Sequence, residues 1–149
     1  FLTAEGARHS RRLDPGTVLL SNSGATLGVP KILRISGCAN DGIAAFLNLS
    51  DSVEPMFLYY FLASHTANFR GNVARGVGQP NLNTTLIGAV LAPLPDRNEQ
   101  KSIAEALVSV DARIAEDRVV LMNLALCKSA LLSVLLTGEV RVTADEEAA

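Results

Sequence analysis

The chain has 149 residues, 48% of them hydrophobic, and a formal net charge of −2. That is one domain's worth of chain with enough apolar material for a core. No run of 18 uncharged apolar residues occurs, so no membrane span is expected, and Phe1 to Ser10 lack the apolar centre of a signal peptide.

Residues 1–15 are polar and basic and end in an Asp14-Pro15-Gly16 turn. Three short β-like runs follow: Thr17 to Ser21, Val29 to Ile35 (which carries Lys31 and Arg34 among apolar neighbours) and Ile43 to Leu49. Gly24 and Gly28 bracket the hairpin between the first two. No Gly-Lys-Ser/Thr follows them, so they read as turn residues rather than a phosphate loop. Cys38 and Cys127 lie far apart, with no CxxC and no Cys/His cluster, and zinc is not expected. Both read as buried, reduced thiols, in keeping with a cytoplasmic setting. Pro55 opens a short helix whose Phe57, Leu58, Phe61, Leu62 and Phe69 form a core stripe, with His65 on the same side as a structural residue.

The stretch from Arg70 to Asn83 is rich in glycine and amides and contains Arg70 and Arg75. No carboxylate lies between Glu54 and Asp96, so a local positive face on a mildly acidic protein is expected there. Two readings are open for this stretch: a solvated loop, or a nucleic-acid surface. In the second, arginine meets phosphates and guanine edges while Gln79, Asn81 and Asn83 suit adenine. A last strand is expected over Leu86 to Leu91.

From Asp96 onward the pattern changes. Ile103, Leu107, Val110, Ile114, Asp117, Leu121, Leu124, Lys128, Leu131 and Leu135 recur at alternating steps of four and three, the seam of a long helix that packs along another helix. Pro93 and Pro95 precede it, Asp96 and Glu99 stand at capping-box spacing, and Gly138 suits a helix end. Asp117 and Lys128 interrupt the seam. Either they lie at its edge with their charges in water, or they fix register and partner. An acidic tail, Asp145-Glu146-Glu147, follows. No paired carboxylates, Ser/His/Asp set or Cys/His set stands at motif spacing, so no catalytic residues and no metal ligands are assigned.

Several pieces occur in a telling order: Pro15-Gly16-Thr17-Val18-Leu19-Leu20, Ser23 to Gly28, Gly78-Gln79-Pro80-Asn81-Leu82-Asn83, Pro93-Leu94-Pro95, Glu99-Gln100-Lys101-Ser102-Ile103, and Leu131 to Leu136 followed by Thr137-Gly138-Glu139-Val140. Together they resemble the specificity subunit of type I restriction–modification enzymes over about residues 15–142. The resemblance implies an α+β fold: a small mixed-β target-recognition body at 1–95, a long coiled-coil-forming spacer helix at 96–137 and a tail at 138–149. It also implies a non-catalytic DNA-reading subunit that directs adenine methylation and cleavage by its partners. Those partners are double-stranded DNA, methyltransferase subunits, a restriction subunit and a second antiparallel long helix in the same or another specificity chain. This chain would bind no cofactor; S-adenosylmethionine, ATP and Mg would belong to the partner subunits.

The expected DNA-facing residues are Lys31, Arg34, Arg70, Asn72, Arg75, Gln79, Asn81 and Asn83. The expected seam contacts are Ile103, Leu107, Val110, Ile114, Leu121, Leu124, Leu131 and Leu135. Recognition domains of this family are longer upstream, so the chain is expected to be the last part of one such domain plus its helix. The alternative is a coiled-coil oligomerisation or adaptor module that binds no DNA. A hydrolase built on Cys38 and His65 has no supporting spacing.

Overall fold

A computed structural model describes residues 3–74 and 81–142. The chain forms two compact units, Phe1–Leu107 and Val108–Ala149. The architecture is α+β, with small antiparallel sheets and a long C-terminal helix.

The first unit opens on α1 (Ala4–Arg8), whose first turn is capped by the Thr3 hydroxyl accepting from the Gly6 amide at 3.1 Å. This helix lies where only a polar lead-in is expected. Strand β1 (Arg12–Leu13) pairs antiparallel with β4 (Gly37–Cys38), and Leu13 is buried there. The three expected strands are present in shorter form as β2 (Val18–Ser21), β3 (Pro30–Ile32) and β5 (Ile43–Phe46). They form one antiparallel sheet with β2 in the centre. The register sets Leu20 beside Pro30 and Ala44, and Val18 beside Ile32 and Phe46, on the inner face. Leu19 joins Lys31 and Ala45 on the outer one. Val18 and Leu20 are fully buried and Lys31 is exposed, as the two-residue period of a half-buried strand requires.

Helix α2 (Pro55–Ser64) packs over β2 and β3, followed by one turn, α3 (Thr66–Asn68), and a π-helical turn, Phe69–Val73. Leu62 and Phe69 of the expected stripe are buried with Val18, Leu20, Leu27 and Leu82, and Leu58 and Phe61 pack against that cluster. His65 is structural here. Its Nδ1 lies 2.9 Å from the Phe61 carbonyl oxygen and 3.0 Å from Ser64 Oγ, and its ring stacks at a tilt on Phe61. Gly28 has φ +77°, and a Cβ there would lie 2.9 Å from Phe69 Cβ and 3.2 Å from the Thr66 carbonyl oxygen. The position therefore needs glycine both for its backbone and for its space.

The strand expected over Leu86 to Leu91 is instead a short helix, α4 (Thr84–Gly88). Asn83 Oδ1 accepts from the Leu86 amide at 2.8 Å, so a local N-cap overrides the β-like run. Ile87 and Val90, three apart, turn toward the core.

Helix α5 runs over 40 residues, Arg97–Leu136, and the boundary between the two units falls within it. Asp96 Oδ1 accepts from the amides of Asn98 (2.9 Å) and Glu99 (3.2 Å), and Gly138 takes φ +77° at the far end. Gln100 is the only fully buried polar residue among the described ones. Its Nε2 donates to the carbonyls of Ser52 (2.9 Å) and Pro95 (2.8 Å), and its Oε1 accepts from the Glu54 amide (2.9 Å). Arg97 and Glu54 add an ion pair at 3.8 Å. The start of α5 is thereby latched to the loop that opens α2.

Beyond Leu107 the helix is apolar on more than one side. Val119, Val120, Leu121, Met122, Leu124 and Leu126 are all exposed. Cys127 is exposed as well, against the expectation of a buried thiol, because it stands on this outer helix. An 18-residue window of α5 reaches a mean hydropathy of 2.1, so by length and composition the helix could cross a membrane. That departs from the expectation drawn from uncharged runs, since residues 119–136 contain one charge, Lys128. A helix apolar all round needs enclosure, whether by protein helices or by lipid.

Candidate nucleic-acid interface

The turn between β2 and β3 gathers much of the polar material. Asn22 donates from Nδ2 to the Asp41 carbonyl (2.9 Å), and its backbone amide donates to Gly42. The Leu82 amide donates to the Asn22 carbonyl at 2.8 Å, and Ser23 pairs with Asn81 as an isolated bridge. Leu82 is fully buried while Asn81 and Asn83 are exposed, the alternation expected of an extended segment with Leu82 inward.

Arg70 comes to the same turn. Its Nε donates to the Leu27 carbonyl (2.8 Å) and its Nη2 to the Ala25 carbonyl (3.2 Å). The side chain is exposed, but it is held rather than free. Carbonyl oxygens do not cancel its charge, and the guanidinium keeps donors in its fixed fork for a further acceptor. The positive charge at this end of the hairpin thus has a defined position. Asn83 has its side-chain oxygen committed to capping α4, so its amide nitrogen is the group left to meet a ligand. Lys31 stands on the outer sheet face next to Leu19, in no ion pair among the described residues.

Arg34 lies apart from this group. Leu33 bonds to Thr17 and Gly16, at the opposite end of the hairpin from the 22–28 turn. The structure therefore ties Arg70 and Asn81 to the 22–28 turn, with Asn83 capping α4, Lys31 on the outer face of the hairpin and Arg34 at its other end. Asn72 falls in the π-helical turn. Arg75 and Gln79 lie outside the described residues. Asn22 was not among the expected site residues. Its Oδ1 is buried and has no hydrogen-bond partner among the described residues, beside the Asn81 bridge. The only sequence signal for it is the Ser-Asn-Ser run ahead of Gly24.

The seam residues Ile103, Leu107, Val110, Ile114, Leu121, Leu124, Leu131 and Leu135 are all exposed on α5. Asp117, one of the two charges in the seam, is held by Arg113 through Nη2 at 3.1 Å, and Arg113 also reaches Glu116 at 3.9 Å. Among the described residues no group of three or more His, Cys, Asp or Glu could hold a metal ion.

The chain thus joins a small sheet body with a polar hairpin end to a long apolar-faced helix, whose start is held by Gln100. Residues 4–118 match the family model described as the type I restriction modification DNA specificity domain, and the chain belongs to that family. It is 31% identical over 119 residues to the type I restriction enzyme MjaVIII specificity subunit of Methanocaldococcus jannaschii, covering 78% of this chain and 28% of that protein. It is 27% identical to the putative MjaX specificity subunit of the same organism, over 79% of this chain and 28% of that protein. The chain thus spans under a third of the length of these relatives.

Among solved structures, the HsdS subunit from Thermoanaerobacter tengcongensis aligns with a TM-score of 0.59 at 25% identity, over 73% of this chain and 25% of that one. A chain from a study of complex assembly and conformational transition of the type I R-M system aligns with a TM-score of 0.70 at 23% identity. It covers 83% of this chain and 30% of that chain and shares the fold.

Proposed function

We propose that this chain reads one part of a DNA target for a type I restriction–modification complex. Partner subunits would supply adenine methylation and cleavage. The observation that carries the reading is the specificity-domain match, which runs unbroken through the body and into the first half of α5. The geometry supports it: Arg70 is a fixed cation on the carbonyls of Ala25 and Leu27, and the exposed Asn81 bridges Ser23 of the same turn. In this reading Arg70, Lys31, Arg34 and Arg75 meet phosphates, whereas Asn72, Gln79, Asn81 and Asn83 offer amides to base edges.

Helix α5 acts as the spacer. Its seam takes a second long helix, and its other apolar sides meet the methyltransferase subunits, with a restriction subunit joining the same assembly. The chain contributes recognition rather than catalysis, in the cytoplasm. S-adenosylmethionine, ATP and Mg are bound by the partners.

The test uses the assembled methyltransferase and DNA with and without the target. Lys31→Ala should weaken binding to all sequences about equally and lower the salt slope by about one. Asn81→Ala and Gln79→Ala should each lose discrimination at one base pair, by roughly 1–3 kcal/mol. If all three keep parental affinity, salt dependence and specificity, these residues do not face DNA. The chain would then be read as a coiled-coil adaptor.

A further inference from the structure

We propose that Gln100 is a positioning residue for the 24–28 turn: acting through α2, it holds the clamp that Thr66 and Arg70 place on that turn, so that seating the start of α5 on the body sets the shape of the DNA-reading edge. This rests on the reading of that turn as DNA-facing and adds how its shape is held.

The connection begins where α2 begins. Glu54, the residue that caps α2, makes no side-chain cap hydrogen bond. Its backbone is engaged on both sides instead. The amide donates to Gln100 Oε1 at 2.9 Å, and the carbonyl accepts from the Leu58 amide at 3.0 Å. The entry to α2 is thus tied directly to α5. Gln100 Nε2 fastens the same joint to the carbonyls of Ser52 and Pro95. Ala104, one turn further along α5, is buried on the same side of that helix.

The connection continues to the far end of α2. Its ten residues span about 15 Å at 1.5 Å each. Beyond them His65 Nδ1 lies 2.9 Å from the Phe61 carbonyl oxygen, and the Phe69 amide donates to the His65 carbonyl at 2.9 Å. Helices α2 and α3 and the π-helical turn therefore follow one another as a single hydrogen-bonded run. Three side chains of its last part meet the hairpin turn. Thr66 Oγ1 donates to the Gly28 carbonyl at 2.8 Å, Arg70 holds the carbonyls of Leu27 and Ala25, and Phe69 fills the space where a Gly28 side chain would stand. Residues 24–26 form the exposed tip of what is held.

Close-packed elements shift as units rather than deform. A change in the seat of Gln100 at one end of this run therefore reaches the clamp at the other. By linkage, a ligand that fixes the turn also tightens the seat.

The experiment is native-state hydrogen exchange of the 149-residue chain without DNA, with Gln100→Glu compared with the parent at each pH from about 5 to 9. A neutral carboxyl at this position keeps the acceptor for the Glu54 amide and one of the two donors. Burial among carbonyls raises its pKa, and as pH rises through that value the carboxylate faces the Ser52 and Pro95 carbonyls with no donor. The other charged groups around the joint are Glu54 with its partner Arg97, Asp51 in the loop, and Asp96, Glu99 and Lys101 on α5 and its cap. The parent shares these and His65, so the comparison at each pH removes their titration. The Glu54 amide should lose protection as the new carboxyl ionises. The Leu27 and Gly28 amides, bonded to the Gly24 and Ser21 carbonyls at 3.0 and 2.7 Å, should lose it with the same midpoint, by roughly fivefold or more. The Leu33 amide, on the Thr17 carbonyl at the other end of the hairpin, should not change. Loss at Glu54 with none at Leu27 and Gly28, no loss at any of them, or an equal loss at Leu33 from general unfolding would each overturn the coupling. In the assembled methyltransferase, Gln100→Glu should separate target from non-target DNA less well than the parent at the alkaline end of the range and recover toward it at the acid end. Equal discrimination throughout would overturn the role in reading. The exchange result needs no DNA, so a parent that does not read DNA removes the proposed function and leaves the coupling standing.

Discussion

At the scale of single residues, Gln100 shows how a polar side chain can be the best-anchored group in a core. Its two amide hydrogens and its oxygen all have partners, two of them in the loop before Pro55. Gln100→Leu would keep the volume and strand two carbonyls and an amide, an expected loss of about 2–4 kcal/mol in denaturant unfolding; a loss under 1 kcal/mol would mean that water reaches those groups. Gly28→Ala should cost a similar amount, about 2–4 kcal/mol, because a positive φ and a 2.9 Å approach to Phe69 act together. A parental melting temperature in that variant would show that the Phe69 turn moves freely. Neither environment was legible in advance. Glutamine is usually a surface residue, and the glycine's neighbour lies 41 positions away in sequence. Leu82 was legible, because alternation with exposed amides points one side chain inward whatever the partner.

At the scale of elements, success followed the length of the pattern. Helix α5 could be placed to within a residue or two, since ten seam positions, two prolines, a cap and a glycine agree. The three strands of the main sheet are readable as short β-like runs between turn residues. Strands β1 and β4 are not: two residues each carry no period, and they exist because Leu13 finds a buried place against Gly37. Helix α4 lies where a strand is expected because five apolar residues in six, Leu86 to Leu91, fit either state. The cap of Asn83 decides between them. Of the candidate DNA-facing residues, the amide-rich stretch stands out by composition. Arg70's attachment to Ala25 and Leu27 does not, since it depends on a carbonyl pair 43 to 45 residues upstream. The seam makes its own prediction. Leu121→Asp sets a carboxylate in the apolar seam and should cost association several kcal/mol. Sizing and pull-down with a partner helix or a methyltransferase subunit check this, and a variant that assembles like the parent would refute the seam assignment.

At the scale of the whole chain, the charge is set by the long helix and tail rather than by the body. Residues 1–90 carry a net +2 and residues 91–149 a net −4. With so small a positive excess on the body, few counterions are released, and the chain alone should bind DNA weakly. Submicromolar, sequence-selective binding by these 149 residues at physiological salt would show that a complete reading surface is already present. The Gln100 latch carries a further consequence, in time rather than in space. The body's loop at Ser52 to Glu54 waits for a side chain 46 residues further along. At about 5–20 residues per second, synthesis delivers it roughly 2–9 seconds later. Until then two backbone groups of the loop lack their partner, so the loop closes only once the first turn of α5 has been made. A chain ended after Leu94 should accordingly lose amide protection at Glu54 in hydrogen exchange, while one ended after Leu107 keeps it. Equal protection in both would separate the folding of the body from the birth of its helix.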